Sequence, residues 1–130
     1  MRLLLDTHFV IWLVADGSQL TAREREVVTS SNHQISVSAI SLWELRVKAD
    51  AERRRGRVGA LSPGDALAFL QENHIDTVAP SAHDYAAVLA PPLDHSDPFD
   101  EMLLTHAQQL GAKLLTRDSK LRDHPLALVP

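Results

Sequence analysis

Short, largely apolar runs alternate along the chain with longer stretches in which apolar residues recur every three or four positions. The short runs are Leu3-Leu4-Leu5, Ile35-Ser36-Val37, Ile75 to Val78, Lys113 to Leu115 and Leu126 to Val129. The first is apolar throughout, as a central parallel strand covered on both faces requires. The period after it supports a short helix from His8 to Val14. Thr21-Ala22-Arg23-Glu24 has the spacing of a capping box and predicts a second helix to about Ser31. A third begins between Ser38 and Ser41, with Ile40, Trp43 and Val47 as its apolar stripe. Ser62-Pro63-Gly64-Asp65 opens a fourth, with Pro63 in the first turn where its missing donor is harmless, and with Ala66, Leu67, Phe69 and Leu70 as its apolar content. Ser81-Ala82-His83-Asp84 opens a fifth reaching about Leu89, which Pro91-Pro92 ends. Leu93 to Ser96 reads as a loop. Asp97-Pro98-Phe99-Asp100 then opens a helix whose inward positions include Phe99, Leu103, Ala107 and Leu110, with Gly111 as its stop.

This alternation predicts an α/β domain of three layers: a short, mainly parallel central sheet flanked by helices, because each parallel crossover needs a covering helix. A chain of 130 residues, 45% of them apolar, suits one domain spanning residues 1–130. Period alone does not give the strand order. With no cysteine, disulfides, a thiol nucleophile and thiolate-held zinc are excluded. Asp6 arrives too early for a secretion signal and no apolar stretch approaches a membrane span, so a cytoplasmic location without membrane contact is expected. The formal charge of -4 argues against a general nucleic-acid coat protein. It leaves a nuclease open, because carboxylates gathered around a cation add to that sum yet are neutralised in use. Basic residues are uneven: Arg46, Lys48, Arg53, Arg54, Arg55 and Arg57 supply six of the thirteen. One face is expected to be locally positive, with Arg53 to Leu61 the most mobile stretch.

The acids carry the candidate chemistry. Asp6 ends the first apolar run and Asp118 follows Leu114-Leu115-Thr116-Arg117, so on neighbouring parallel strands both emerge at one sheet edge, within reach of Glu44 and Asp100 near helix starts. Two unit charges about 4 Å apart repel by roughly 4 kcal/mol at an effective dielectric of 20, so facing carboxylates call for protons or a cation. An all-oxygen set suits Mg²⁺ or Mn²⁺. Local structure offers competing roles. Asp6 can cap the first helix, Glu44 can close a capping box with Ser41 or pair with Lys48, and Asp97 can cap the last helix, a role that explains Asp100 less well. Asp118 can be a loop acid in solvent.

Four segments together resemble the PIN-domain ribonucleases, most closely the VapC-like toxins of toxin-antitoxin pairs: Leu3-Leu4-Leu5-Asp6-Thr7-His8, Ser38 to Leu45, His95-Ser96-Asp97-Pro98-Phe99-Asp100, and Leu114-Leu115-Thr116-Arg117-Asp118. They span nearly the whole chain in the expected order. The resemblance implies a parallel-sheet fold and an endoribonuclease acting through Mg²⁺ or Mn²⁺. Asp6, Glu44 and Asp100 would be the principal metal-binding and catalytic acids, with Asp118 a fourth. Thr7, Thr116 and Asp97 would stand beside the cluster, Thr116 fixing it by hydrogen bonding and Asp97 as a cap. The resemblance also implies an RNA substrate, frequent homodimerisation and a VapB-like antitoxin whose tail would block the acidic cleft. Glu101 stands where close relatives often carry arginine.

Arg46, Lys48 and the group Arg53, Arg54 and Arg55 are candidates to hold RNA phosphates or to receive an acidic antitoxin segment. The seven histidines form no HExxH-like pattern. His8 and His95 flank site segments, whereas His33, His74, His83, His106 and His124 are expected at the surface or along helices. Trp12 and Trp43 are expected in the core. The competing functions are a non-catalytic RNA- or protein-binding module and a metal-dependent phosphatase. The covalent form of the latter is disfavoured because Asp6 is followed by Thr7 and His8 rather than by a second aspartate two positions on.

Overall fold

A computed structural model describes residues 1–130. Five strands, β1 (Arg2–Leu5), β2 (Gln34–Ser38), β3 (Asp76–Val78), β4 (Lys113–Leu115) and β5 (Ala127–Leu128), form one sheet in the order β3-β2-β1-β4-β5. Every pairing is parallel. The helices are α1 (Thr7–Ala15), α2 (Ala22–Thr29), α3 (Ala39–Arg54), α4 (Pro63–Glu72), α5 (Ala82–Ala86) and α6 (Pro98–Leu110). None is long and apolar enough to cross a membrane.

Strand alternation explains the three layers. Leu5, Val37 and Leu115 point to one face and pack with Phe9, Val10, Leu45, Ala66 and Leu70 from α1, α3 and α4. Leu4 and Leu114 point to the other and pack with Leu103, Leu104 and Ala107 of α6. The chain builds outward from β1 in one direction through β2 and β3, then returns to add β4 and β5 on the other side. The crevice where that direction reverses lies between the carboxyl ends of β1 and β4, the place where open parallel sheets bind ligands.

Helix boundaries follow local chemistry. Thr21 and Glu24 close the capping box of α2, Ser62 caps α4 with Pro63 in its first turn, and Gly111 ends α6 with φ at 65°. Three expectations are corrected. Helix α5 stops at Ala86, where Ala87 turns extended, and does not reach Leu89. On α3 the buried positions are Ser41 and Leu45, whereas Trp43 is 58% and Val47 40% exposed. With α3 starting at Ala39, Trp43 lies roughly 160–200° round the helix from both buried residues. The stripe through Ile40, Trp43 and Val47 is therefore not the packing face. Finally, His124 lies on no helix and is nearly buried, against the placement at the surface or along a helix expected of it, whereas His106 lies on α6 as allowed but is fully buried.

Candidate active site

Asp6 leaves β1 at the crevice. It occupies the N-cap position of α1 yet makes no capping hydrogen bond with its side chain. Its Oδ2 instead accepts a 2.6 Å bond from the Thr116 hydroxyl at the end of β4. The strands fix this contact, since the Asp6 amide also donates to the Leu115 carbonyl. Burial raises the Asp6 pKa, and Glu44 adds to the rise, while Thr116, His8 and the Thr7 amide oppose it. The Thr116 oxygen also accepts from the amide of Asp118, so one hydroxyl ties the first and last acids of the set together.

Glu44 projects from the second turn of α3 toward the same edge, with 13% of its side chain exposed. A capping box with Ser41 is ruled out, because Ser38 caps this helix. The Thr7 hydroxyl lies 2.8 Å from Glu44 Oε1 and 2.9 Å from Ser41 Oγ. Having one proton, it donates to the carboxylate oxygen, the stronger acceptor, and accepts from Ser41. Glu44 Oε2 meets Lys48 Nζ at 3.0 Å, the helical ion pair that its spacing allowed.

Asp97 caps α6 by accepting from the amides of Phe99 and Asp100. That capping sets the first turn and directs Asp100 into the cleft. Asp100 has a pKa raised to about 7, first by burial and then by the charges of Asp97, Asp6, Asp118 and Glu44. His95 stands 3.9 Å from it. The field at this one carboxylate thus senses every other acid that the sequence singled out. Asp118 is half-buried, and its Oδ1 accepts from the Lys120 amide.

The acids share one edge without forming a closed cage: no three histidine or carboxylate side chains stand close enough to hold one ion between them. Their oxygens are engaged by Thr116, Thr7 and Lys48. The donor set is all oxygen and mutually repulsive, chemistry that fits a hard divalent cation.

Among the basic candidates, Lys48 is taken by Glu44, Arg53 by Asp50 and Arg55 by Glu52. Arg46 and Arg54 are exposed and stand outside these pairs. An apolar hollow of about 510 Å³ between α1, α3 and residues 59–61 holds Lys48 but none of the four acids.

Two features escape sequence reading. Arg117 makes a paired contact with the buried Glu24, at 3.0 and 2.6 Å, and lies 4.0 Å over the Trp12 ring. His106 Nδ1 sits 2.8 Å from the hydroxyl of Ser38, which caps α3. In the sequence, Glu24 is accounted for by its capping box and the histidine by a helical period. The one available signal is Arg117 itself, an arginine lodged between Thr116 and Asp118.

The PIN domain family model matches residues 3–125. Over 122 residues the chain is 30% identical to ribonuclease VapC22 of Mycobacterium tuberculosis, covering 93% of this chain and 90% of that protein. Among solved structures it is similar to VapBC2 from Rickettsia felis bound to a DNA fragment from their promoter, at 16% identity and a TM-score of 0.62, covering 100% of this chain and 98% of the other. It is also similar to a toxin-antitoxin complex from Klebsiella pneumoniae, at 17% identity and a TM-score of 0.63, covering 98% and 96%. At these identities the structures speak for the fold.

Proposed function

This chain belongs to the PIN-domain family as a VapC-like member, and from that premise we propose that it is a metal-dependent endoribonuclease, the toxin of a toxin-antitoxin pair. The observation that carries the reading is the field at Asp100, whose carboxyl is pushed up to about 7 by burial together with Asp97, Asp6, Asp118 and Glu44. Capping explains Asp97 and leaves the other four carboxylates without a structural reason to crowd one edge.

In this reading Asp6, Glu44 and Asp100, with help from Asp118, would hold Mg²⁺ or Mn²⁺. Such an ion supplies positive charge to the phosphate and makes water a stronger nucleophile at neutral pH. The chain's own groups prepare the place. Thr116 holds the Asp6 carboxylate, Thr7 holds that of Glu44, and the Asp97 cap orients the turn bearing Asp100. Lys48 restrains the Glu44 carboxylate from the next turn of α3. Arg46 and Arg54 offer phosphate contacts further along α3. In-line attack by water on phosphorus leaves a 5′-phosphate and a 3′-hydroxyl. The partners in this proposal are RNA, a VapB-like antitoxin and a second copy of the chain, in the cytoplasm.

The test is end-mapped cleavage of total cellular RNA by wild-type and Asp6→Asn protein, with and without added Mg²⁺ or Mn²⁺. Cleavage that needs the metal, leaves 5′-phosphates and disappears in Asp6→Asn is expected. A 2′,3′-cyclic phosphate product would reject attack by water. An unchanged effect of folded Asp6→Asn protein would return the chain to the class of non-catalytic binding modules.

A further inference from the structure

A pocket of about 220 Å³ opens beside the acids, lined by Asp6, His8, Trp12, Arg117 and Asp118. It is smaller than the roughly 300–1,000 Å³ of pockets that enclose a whole small molecule, and its size suits a single planar group. One wall is unusual in construction. Arg117 donates from Nε and Nη2 to the two carboxylate oxygens of Glu24, and from Nη2 to the carbonyl of Gln19. Three of its five N–H donors are thereby fixed to the protein body. Glu24 itself is 3% exposed, and its pKa is lowered chiefly by the bond from Arg117.

An arginine meant to grip phosphate is best left with its charge and its fork free. Here the Nε–Nη2 fork is filled, only Nη1 keeps free donors, and the charge is largely balanced by a buried partner. What remains is a rigid plane. One face of that plane rests on Trp12 at 4.0 Å, while 40% of the side chain stays open to solvent beside Asp6 and Asp118. The exposed His8 ring lies next to it, 5.8 Å from Trp12. Unstacked bases of single-stranded RNA stack on guanidinium planes as well as on aromatic rings.

We propose that the open face of Arg117, backed by Trp12 and flanked by His8, seats the base of a nucleotide next to the cleaved bond, so that this pocket favours single-stranded RNA with a base at that position. The proposal rests on the cleft being where RNA lies, and it adds which part of the RNA the cleft recognises.

Binding in EDTA tests it without cleavage. Fluorescence anisotropy compares a labelled single-stranded hexaribonucleotide with the same backbone carrying abasic sites. Wild-type protein should prefer the base-bearing strand by roughly fivefold to a hundredfold, the span of one stacked base. Glu24→Gln/Arg117→Met removes the plane while leaving no buried charge unpaired, and Arg117→Lys keeps the ion pair but not the plane. Both should bind the two strands nearly alike, with folding checked by circular dichroism. The proposal is overturned by equal binding of both strands by wild type, or by Arg117 variants that lose affinity for both strands equally, which would assign Arg117 to phosphate. Retained preference in a folded Arg117→Lys protein would also overturn it. A base preference in protein that never cleaves RNA would sink the nuclease reading and leave this seat standing.

Discussion

Asp100 is where function and stability pull against each other. Its folded pKa of about 7 lies far above the ordinary 3.8. Between these values the unfolded chain has released a proton that the folded chain keeps, so the contribution of Asp100 to stability is greatest in acid and is lost as pH rises through 7. Asp6, also raised, acts in the same direction. A gap of about three pH units corresponds to roughly 4 kcal/mol, which solvent screening of this half-buried carboxyl reduces. Asp100→Asn is therefore expected to stabilise the protein by about 1–3 kcal/mol at pH 8 and hardly at all at pH 4, in urea unfolding without added divalent metal. The same change should abolish cleavage. Asp100→Asn protein no more stable than wild type at pH 8 means that the acids do not repel as described. Thr116 makes the opposite case, because its hydroxyl relieves the site. Thr116→Val leaves buried Asp6 without its short bond and the Asp118 amide without its acceptor, and should cost about 1–3 kcal/mol. Thr116→Ser should restore most of that loss in the same unfolding measurement. If Thr116→Val unfolds at the wild-type denaturant concentration, this tie carries no weight.

At the level of elements, legibility follows the range of the interaction that decides each feature. Strands and caps are decided within a few residues. Leu3 to Leu5, the Thr21–Glu24 box, the Asp97 cap and the Gly111 stop can all be read directly. Gly111 gives a clean check. Its φ of 65° disfavours any side chain, yet nothing stands within 4 Å of where a Cβ would project. Gly111→Ala should lower stability by roughly 1 kcal/mol through backbone strain alone, with RNA cleavage unchanged; a loss of cleavage would show that the end of α6 sets the position of Asp100. The buried face of α3 is not legible in the same way, because a helix carries several plausible apolar stripes. Its packing face depends on where the helix begins and on Ser41 meeting Thr7, a contact 34 residues distant in sequence. His106 with Ser38 and Arg117 with Glu24 are longer-range still, at 68 and 93 residues. Neither pairing leaves a local trace. The four acids are legible for a different reason: parallel strands deliver their carboxyl ends to one edge, so position in the pattern substitutes for knowledge of the strand order.

For the whole molecule, net charge and charge placement give opposite advice about RNA. The formal charge is -4, yet the acids gather at the crevice while α3 leads from Glu44 to exposed Arg54. Ten residues of helix separate those two, about 15 Å along the axis, too far for Arg54 to touch the phosphate being cut. It would meet the backbone some nucleotides away. Of the basic residues between Arg46 and Arg57, Lys48, Arg53, Arg55 and Arg57 have acidic partners on the chain, which lessens the charge they offer to a polyanion. Arg46 and Arg54 are thus expected to carry the salt-sensitive part of binding. Each phosphate neutralised on a single strand contributes about 0.7 to the slope of log affinity against log salt. Changing both arginines to glutamine in Asp6→Asn protein should flatten that slope by about 1.4, measured with a single-stranded oligoribonucleotide in EDTA over a salt series. A slope that stays the same would remove this ridge from the RNA path and leave it to an acidic segment of a protein partner. The Arg117 pocket should behave differently in the same series, since stacking of a base on a neutralised plane shifts affinity at every salt concentration without changing the slope.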